Sequence, residues 1–189
     1  MSSDGENILK AFQQVKRICE DISLLLQTVE KEMARKEWNN ATGSTAIADG
    51  GRRLLDPSRW IPIYVFRFYK HKNFRNRLAF VSVLLDDHWE KFYSLKEPLV
   101  TAGYFDFERN EATLDGNYWY ARYYGYMLKE NNLEPNGIPF SFETVKMKAS
   151  IQGKFKRGEV FGLPLTSIKN ANDVKELITD KLLERAVRV

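Results

Sequence analysis

The chain has 189 residues, of which 43% are hydrophobic and 29% are charged, so it can bury a core and is neither fully disordered nor collagen-like. Its length is typical of one domain, or of one domain with an appendage. No apolar run is long enough to span a membrane, the polar opening segment shows no secretory signal, and a single cysteine excludes an internal disulfide. We therefore expect a cytoplasmic α+β protein without a membrane partner. The formal net charge of +4 permits a polyanionic partner but does not require one.

The clearest pattern in the sequence is a heptad of apolar residues, which predicts one long amphipathic helix within residues 1–38. These apolar residues follow one another at alternating steps of four and three: Ile8, Phe12, Val15, Cys19, Ile22, Leu26, Val29 and Met33. Ser3 and Glu6 form a capping-box pattern at the start, and Asn39, Asn40 and Gly43 are expected to end the helix. About 30 helical residues extend about 45 Å, more than the roughly 40 Å diameter of a globule formed by the remaining chain.

The heptad stripe has two interpretations, self-association in the manner of a coiled coil or packing on the chain's own domain. Branched residues such as Val15 lie at d and Phe12 lies at a, which favours higher-order bundles over a parallel dimer. Apolar neighbours such as Ile18 widen the stripe into a face that also suits a sheet. The eight stripe residues are therefore the candidate interface. Cys19 lies within the stripe, and we expect it to be a buried, unreactive thiol.

Residues 39–59 are small, polar and rich in glycine, which predicts a flexible linker or loop. Residues 60–189 are predicted to form the globular body, a central, mainly antiparallel sheet of about five strands followed by a C-terminal helix over about 173–188. Residues 117–130 fit either a strand or a helix, with a slight preference for strand in the first half.

The strands of the body are predicted from runs of β-branched and aromatic residues. The first two are expected to pair as a hairpin, and the last two to be joined by a turn at 153–158. The predicted strands cover 61–69, 78–85, 99–107, 144–151 and 159–163.

One polar cluster is a weak candidate for a catalytic or metal site. Asp86, Asp87, His88 and Glu90 follow a predicted buried strand, where carboxylates and an imidazole can hold a divalent ion or transfer protons. A solvated polar turn explains the same residues. The pair of glycines in the turn at 153–158 lacks the Lys and Ser/Thr of a phosphate-binding loop. No complete catalytic set and no cofactor motif is therefore recognised.

Two basic stretches are candidates for nucleic-acid binding, because cations with interleaved aromatic residues can neutralise phosphates and stack on unpaired bases. Basic residues at turns also protect sheets from aggregation, which is the simpler explanation. The candidate residues are Arg67, Lys70, Lys72, Arg75, Arg77, Lys154, Lys156 and Arg157.

Taken together, these patterns favour a non-enzymatic interaction or regulatory protein that forms homo-oligomers, or binds a partner protein, through the heptad stripe. The first alternative is a nucleic-acid-associated protein that uses the basic stretches. The second alternative is a metal-assisted or acid–base enzyme at the acidic cluster.

Overall fold

The computed structural model describes residues 3–44, 46, 61–62, 64–85, 97–107, 140–143 and 155–188. In these ranges a long helix precedes an antiparallel sheet and a second helix closes the chain, which confirms the predicted α+β class. In the described part of the chain, no helix combines the length and hydropathy needed to cross a bilayer. The elements are helix α1 (Asp4–Ala34) and strands β1 (Trp38–Asn40), β2 (Tyr64–His71), β3 (Arg77–Leu84), β4 (Leu99–Phe107), β5 (Phe140–Glu143) and β6 (Phe155–Pro164).

Six strands form one sheet in the order β1-β2-β3-β4-β6-β5, and every neighbouring pair is antiparallel. The predicted hairpin is confirmed, because β2 pairs with β3 and Phe68 lies opposite Phe80. The predicted strand 99–107 has the bounds of β4. β6 begins at Phe155, so the predicted turn at 153–158 is wrong for residues 155–158. The predictions for 117–130 and 144–151 lie outside the described residues.

The two faces of the sheet follow the expected period of two. On β2, Val65 and Tyr69 face the helices, whereas Phe66 and Phe68 are buried on the opposite face. Aromatic rings pack along that opposite face, and the rings of Phe80 and Phe105 stack with centroids 4.9 Å apart. Both faces of the central strands are therefore buried, as the apolar sequences of β3 and β4 require.

Helix α2 closes the chain as three consecutive segments, Ala171–Asp173, the π-helical Val174–Thr179, and Asp180–Ala186. Asn170 caps its first turn, so α2 begins two residues before the predicted 173 and ends two residues before the predicted 188. The second half of α1 and the apolar face of α2 share one core with the sheet. Their core residues are Ile22, Leu25, Leu26, Val29, Met33, Val174, Ile178, Leu182 and Ala186.

The predicted linker is wrong at its start, because this segment joins the sheet. Helix α1 ends at Ala34, and Glu37 reverses the chain in the left-handed conformation with φ of 61°. Trp38 then anchors the short strand β1 with 1% of its surface exposed. Two backbone bonds continue the attachment to β2, from Ala41 N–H to a carbonyl at 2.8 Å and from a β2 N–H to the carbonyl of Ala46 at 2.9 Å. Residues 45 and 47–59 of the predicted linker lie outside the described residues.

Candidate functional site

The first half of α1 contributes no residue to the buried core of the described body. Every residue from 3 to 21 is exposed, and this segment of α1 (residues 4–21) is called the free half. Its Phe12 is 70% exposed and its Ile8 61% exposed. Within the described ranges, six of the eight exposed large hydrophobic residues lie on α1: Ile8, Leu9, Phe12, Val15, Ile18 and Leu24.

The heptad stripe is thus divided between two environments. Its last four positions, Ile22, Leu26, Val29 and Met33, are at most 3% exposed and belong to the core. Its first four positions, including Cys19, face water in the single chain. The expectation of a buried thiol is therefore corrected, because the core that α1 shares with the sheet and α2 begins at Ile22.

An apolar groove of about 490 Å³ begins where the free half leaves the body. Ile18 and Leu24 line it from α1, and Leu165, Ile168 and Val174 line it from the segment that leads into α2. Ile18 and Leu24 are also exposed members of the apolar surface of α1. The exposed apolar surface of the free half therefore continues into a concavity on the body.

A second concavity lies at the end of the sheet where the β2–β3 turn meets the start of β6. This basic cleft has a volume of about 680 Å³. Its lining residues are Lys72, Asn73, Phe74, Arg75, Asn76, Arg77, Asp106, Phe107, Lys156 and Arg157. The structure thus brings together parts of the two basic stretches, which are separated by about 80 residues in the sequence. Lys154 lies outside the described residues.

Arg77 was predicted to bind phosphate, but the structure corrects this assignment because the side chain is used inside the protein. It is 5% exposed, and Nε and Nη2 donate to the two carboxylate oxygens of Asp106 at 2.5 and 2.7 Å. Nη1 donates to the carbonyls of Ala186 and Arg188 at 2.6 and 2.7 Å, at the C-terminal end of α2. Arg77 therefore ties two strands to the end of a helix, where unpaired carbonyls favour a cation.

Asp106 connects this network to the surface of the basic cleft. Arg157 Nε donates to its carboxylate at 2.8 Å while 46% of the Arg157 side chain stays exposed. Burial alone would raise the pKa of the Asp106 carboxyl, but the hydrogen bonds from Arg77 and Arg157 outweigh it and hold the pKa below its usual value. The same hydrogen bond raises the pKa of Arg157. The carboxylate is therefore ionised at neutral pH and fixes one wall of the cleft.

Two other predicted phosphate-binding residues lie outside the basic cleft. Arg67 faces α1, where Nε lies 3.4 Å from a carboxylate oxygen of Glu30 and Nη1 donates to the carbonyl of Gly43 at 3.1 Å. Lys70 is half-buried and lines a smaller pocket of about 370 Å³ on β2 and the following turn. Lys72 does line the basic cleft, and its Nζ also pairs with Glu37 at 3.0 Å.

The acidic candidates Asp86, Asp87, His88 and Glu90 lie outside the described residues, so the structure does not test them. Among the described residues, no group of three or more His, Cys, Asp or Glu side chains could hold a metal ion. Sequence reasoning missed the role of Asp106. The available signal was a carboxylate inside the otherwise apolar run 99–107, because a buried charge requires a partner.

The exposed stripe of the free half and the basic cleft are therefore the two surfaces on which a function can be based. Comparison with protein-family models, curated proteins and solved structures finds no match to this chain.

Proposed function

We propose that this protein self-associates, with a second copy of the chain covering the apolar stripe of the free half. The observation that supports this most directly is the concentration of six exposed large apolar side chains on one helix. Large contiguous apolar surfaces are rare on soluble monomers and usually mark interaction sites. On this proposal the protein acts by assembly or docking rather than by catalysis.

The energetics of an isolated helix also support a covering partner. The free half spans about 18 residues, or about 27 Å, without tertiary contacts that bury it. In proteins, most of the stability of a helix comes from packing of its apolar face rather than from intrinsic helix propensity, and the free half is not packed into the core of the single chain. The capping box at Ser3 and Glu6 stabilises the first turn, but it acts on the helix end alone. Burial of the stripe against a second chain would supply the missing stabilisation.

Charge on the free half is compatible with two copies packing together. It contains three basic residues, Lys10, Lys16 and Arg17, against four acidic residues. Nearly balanced charge avoids the long-range repulsion that two like-charged helices would experience. The adjoining apolar groove gives the second helix a place to contact the body, and the same contacts repeat on both copies if the pair is two-fold symmetric.

The test is the substitution Phe12→Glu, because this side chain is 70% exposed and the folded monomer does not depend on it. Burying one phenylalanine contributes about 2 kcal/mol. A symmetric dimer loses that contribution twice, about 4 kcal/mol, so Kd should rise about a thousandfold. Sedimentation equilibrium on the full chain measures this change directly.

The matched control is Gln14→Glu, which introduces the same residue on the same helix at a polar position outside the stripe. It should leave the oligomeric state unchanged. A wild-type protein that remains monomeric at about 100 µM, a weak limit for a specific assembly, would contradict the proposal. Equal effects of Phe12→Glu and Gln14→Glu would contradict it as well, because the stripe would then not be the interface.

A further inference from the structure

We infer that the basic cleft binds the phosphate backbone of nucleic acid, independently of self-association. Its two walls come from different parts of the chain. Lys72 and Arg75 belong to the β2–β3 turn, and Lys156 and Arg157 belong to the start of β6. Asp106 on β4 lies between them, since it is in register with Arg77 on one side and with Arg157 on the other.

The register sets the width of the cleft. Neighbouring strands lie about 4.8 Å apart, so the walls on β3 and β6 are separated by about 10 Å. Lysine and arginine side chains are long enough to contact a ligand between walls at this distance from both sides. The volume of about 680 Å³ is that of a site for a small organic ligand rather than for a single inorganic ion.

The residues that line the basic cleft have a formal charge equal to the net charge of the whole chain. Its lining contains five basic side chains and one carboxylate, which gives a local charge of +4. The entire chain has 29 basic and 25 acidic residues, so the remainder contains 24 of each and is neutral. A local positive charge on an otherwise balanced protein attracts polyanions and directs them to that surface.

The carboxylate in the cleft does not oppose an incoming phosphate as a free acidic group would. Both oxygens of Asp106 accept hydrogen bonds from Arg77, and one also accepts from Arg157. This arrangement holds the guanidinium of Arg157 at the wall through Nε and leaves much of the side chain accessible. Asp106 is therefore a positioning residue for an arginine that contacts phosphate in the proposed complex.

The polarity of the lining favours nucleic acid over a membrane surface. Asn73 and Asn76 add amide donors and acceptors that can meet base edges or sugar hydroxyls. Surfaces that bind membranes combine basic residues with exposed apolar ones. None of the exposed large hydrophobic residues in the described ranges lines this cleft.

In the first basic stretch, whose aromatic side chains the structure describes, the interleaved rings are engaged in packing within the protein. Phe68 and Tyr69 are fully buried. The ring of Phe74 stacks on Trp38 at 5.8 Å, and the Arg77 guanidinium lies 5.6 Å from its centroid. Binding should therefore depend mainly on phosphate contacts, with strong salt dependence and little preference for sequence.

The experiment is fluorescence anisotropy of the full-length protein with labelled oligo-dT of about 12 nucleotides, titrated at several salt concentrations. We count one phosphate contact for each basic residue of the two walls, Lys72, Arg75, Lys156 and Arg157. Four contacts predict a slope of about −2.8 in log K against log salt, or about a 50-fold loss of affinity between about 50 and 200 mM. Arg75→Glu with Lys156→Glu should remove two contacts and reduce that loss to about sevenfold, in addition to weakening binding. Both residues are exposed, so the fold should persist.

The matched control, Lys169→Glu with Lys181→Glu, makes the same charge change at two exposed lysines outside the cleft. It should retain the wild-type slope. Equal weakening by the cleft and control pairs would overturn the inference, as would no binding of oligo-dT at low salt. Vesicles of phosphatidylcholine with phosphatidylserine provide the competing outcome: vesicle binding that the cleft pair abolishes, without oligo-dT binding, would also overturn it.

Discussion

Replacing Asp106 by alanine tests the buried network that joins β3, β4, β6 and α2. The wild-type carboxylate accepts two hydrogen bonds from Arg77 and one from Arg157. The substitution leaves the Arg77 guanidinium in a site where 5% of the residue is exposed, and its hydrogen bonds to the backbone carbonyls of Ala186 and Arg188 carry no counter-charge. A buried charge without a counter-charge is costly, because water cannot solvate it there.

The expected loss follows from the burial of both partners. The side chains of Arg77 and Asp106 are 6% and 11% exposed, so the pair belongs with buried rather than surface ion pairs. Removing one member of a buried pair typically costs about 3–5 kcal/mol. Stacking of the Arg77 guanidinium 4.2 Å from the Tyr104 ring centroid keeps the cation in place and prevents it from reaching water easily.

Urea unfolding of the wild-type protein and the variant measures this free energy. Asp180→Ala is the control, because Asp180 is likewise ion-paired, to Lys175 at 3.0 Å, but half of its side chain is exposed. Surface pairs contribute about 0–1 kcal/mol, so the control should lose at most that much. If Asp106→Ala lost no more stability than the control, the reasoning about burial would be refuted.

Three further outcomes are expected. Because native contacts lower the pKa of Asp106, its contribution to stability is fully present above the unfolded pKa of about 4 and is lost as pH falls through the lower native pKa. The free energies of unfolding of wild type and Asp106→Ala should therefore begin to converge below about pH 4 and differ least below the native pKa. Gly103→Ala should destabilise by at least about 1–3 kcal/mol in urea unfolding, because an added Cβ would collide with the backbone carbonyl oxygen of Glu159 and lie 2.9 Å from Val160 Cα. Tyr69→Phe should leave the melting temperature unchanged or raise it, because the buried hydroxyl has no hydrogen-bond partner among the described residues and removing it leaves no group newly unsatisfied.

Elements with strong local patterns were predictable from the sequence. The heptad spacing identifies α1, and alternating apolar residues on either side of a polar connector identify the β2–β3 hairpin. The bounds of β4 agree with the predicted 99–107 because both of its faces are buried and its apolar run is continuous. In each case the residues that determine the element lie within it or next to it.

Features that depend on distant residues were not predictable in the same way. β1 contains three residues, two of them asparagines, and it forms because it pairs with Tyr69, Lys70 and His71 about 30 positions later. In the sequence, Arg77 resembles the other cations of its polar connector. In the fold it is buried by contacts with Asp106 and with the end of α2, where Ala186 is 109 residues away. Local composition assigns such residues to solvent, because it contains no information on which strands become neighbours.

The division of α1 follows from how the two helices share one face of the sheet. α1 contacts β1, β2 and β3, while α2 contacts β3 and β4. The packed part of α1, residues 22–33, is about 18 Å long, which equals nearly four strand spacings. α1 also contacts the π-helical part of α2. The core residues of α1 begin at Ile22, and the free half meets the described body at the apolar groove, which Ile18 and Asp21 line. The heptad nevertheless continues in the same register for two more repeats. Those exposed side chains cannot stabilise the single chain by burial. In our proposal they become buried, and stabilise the assembly, when a second copy packs against them.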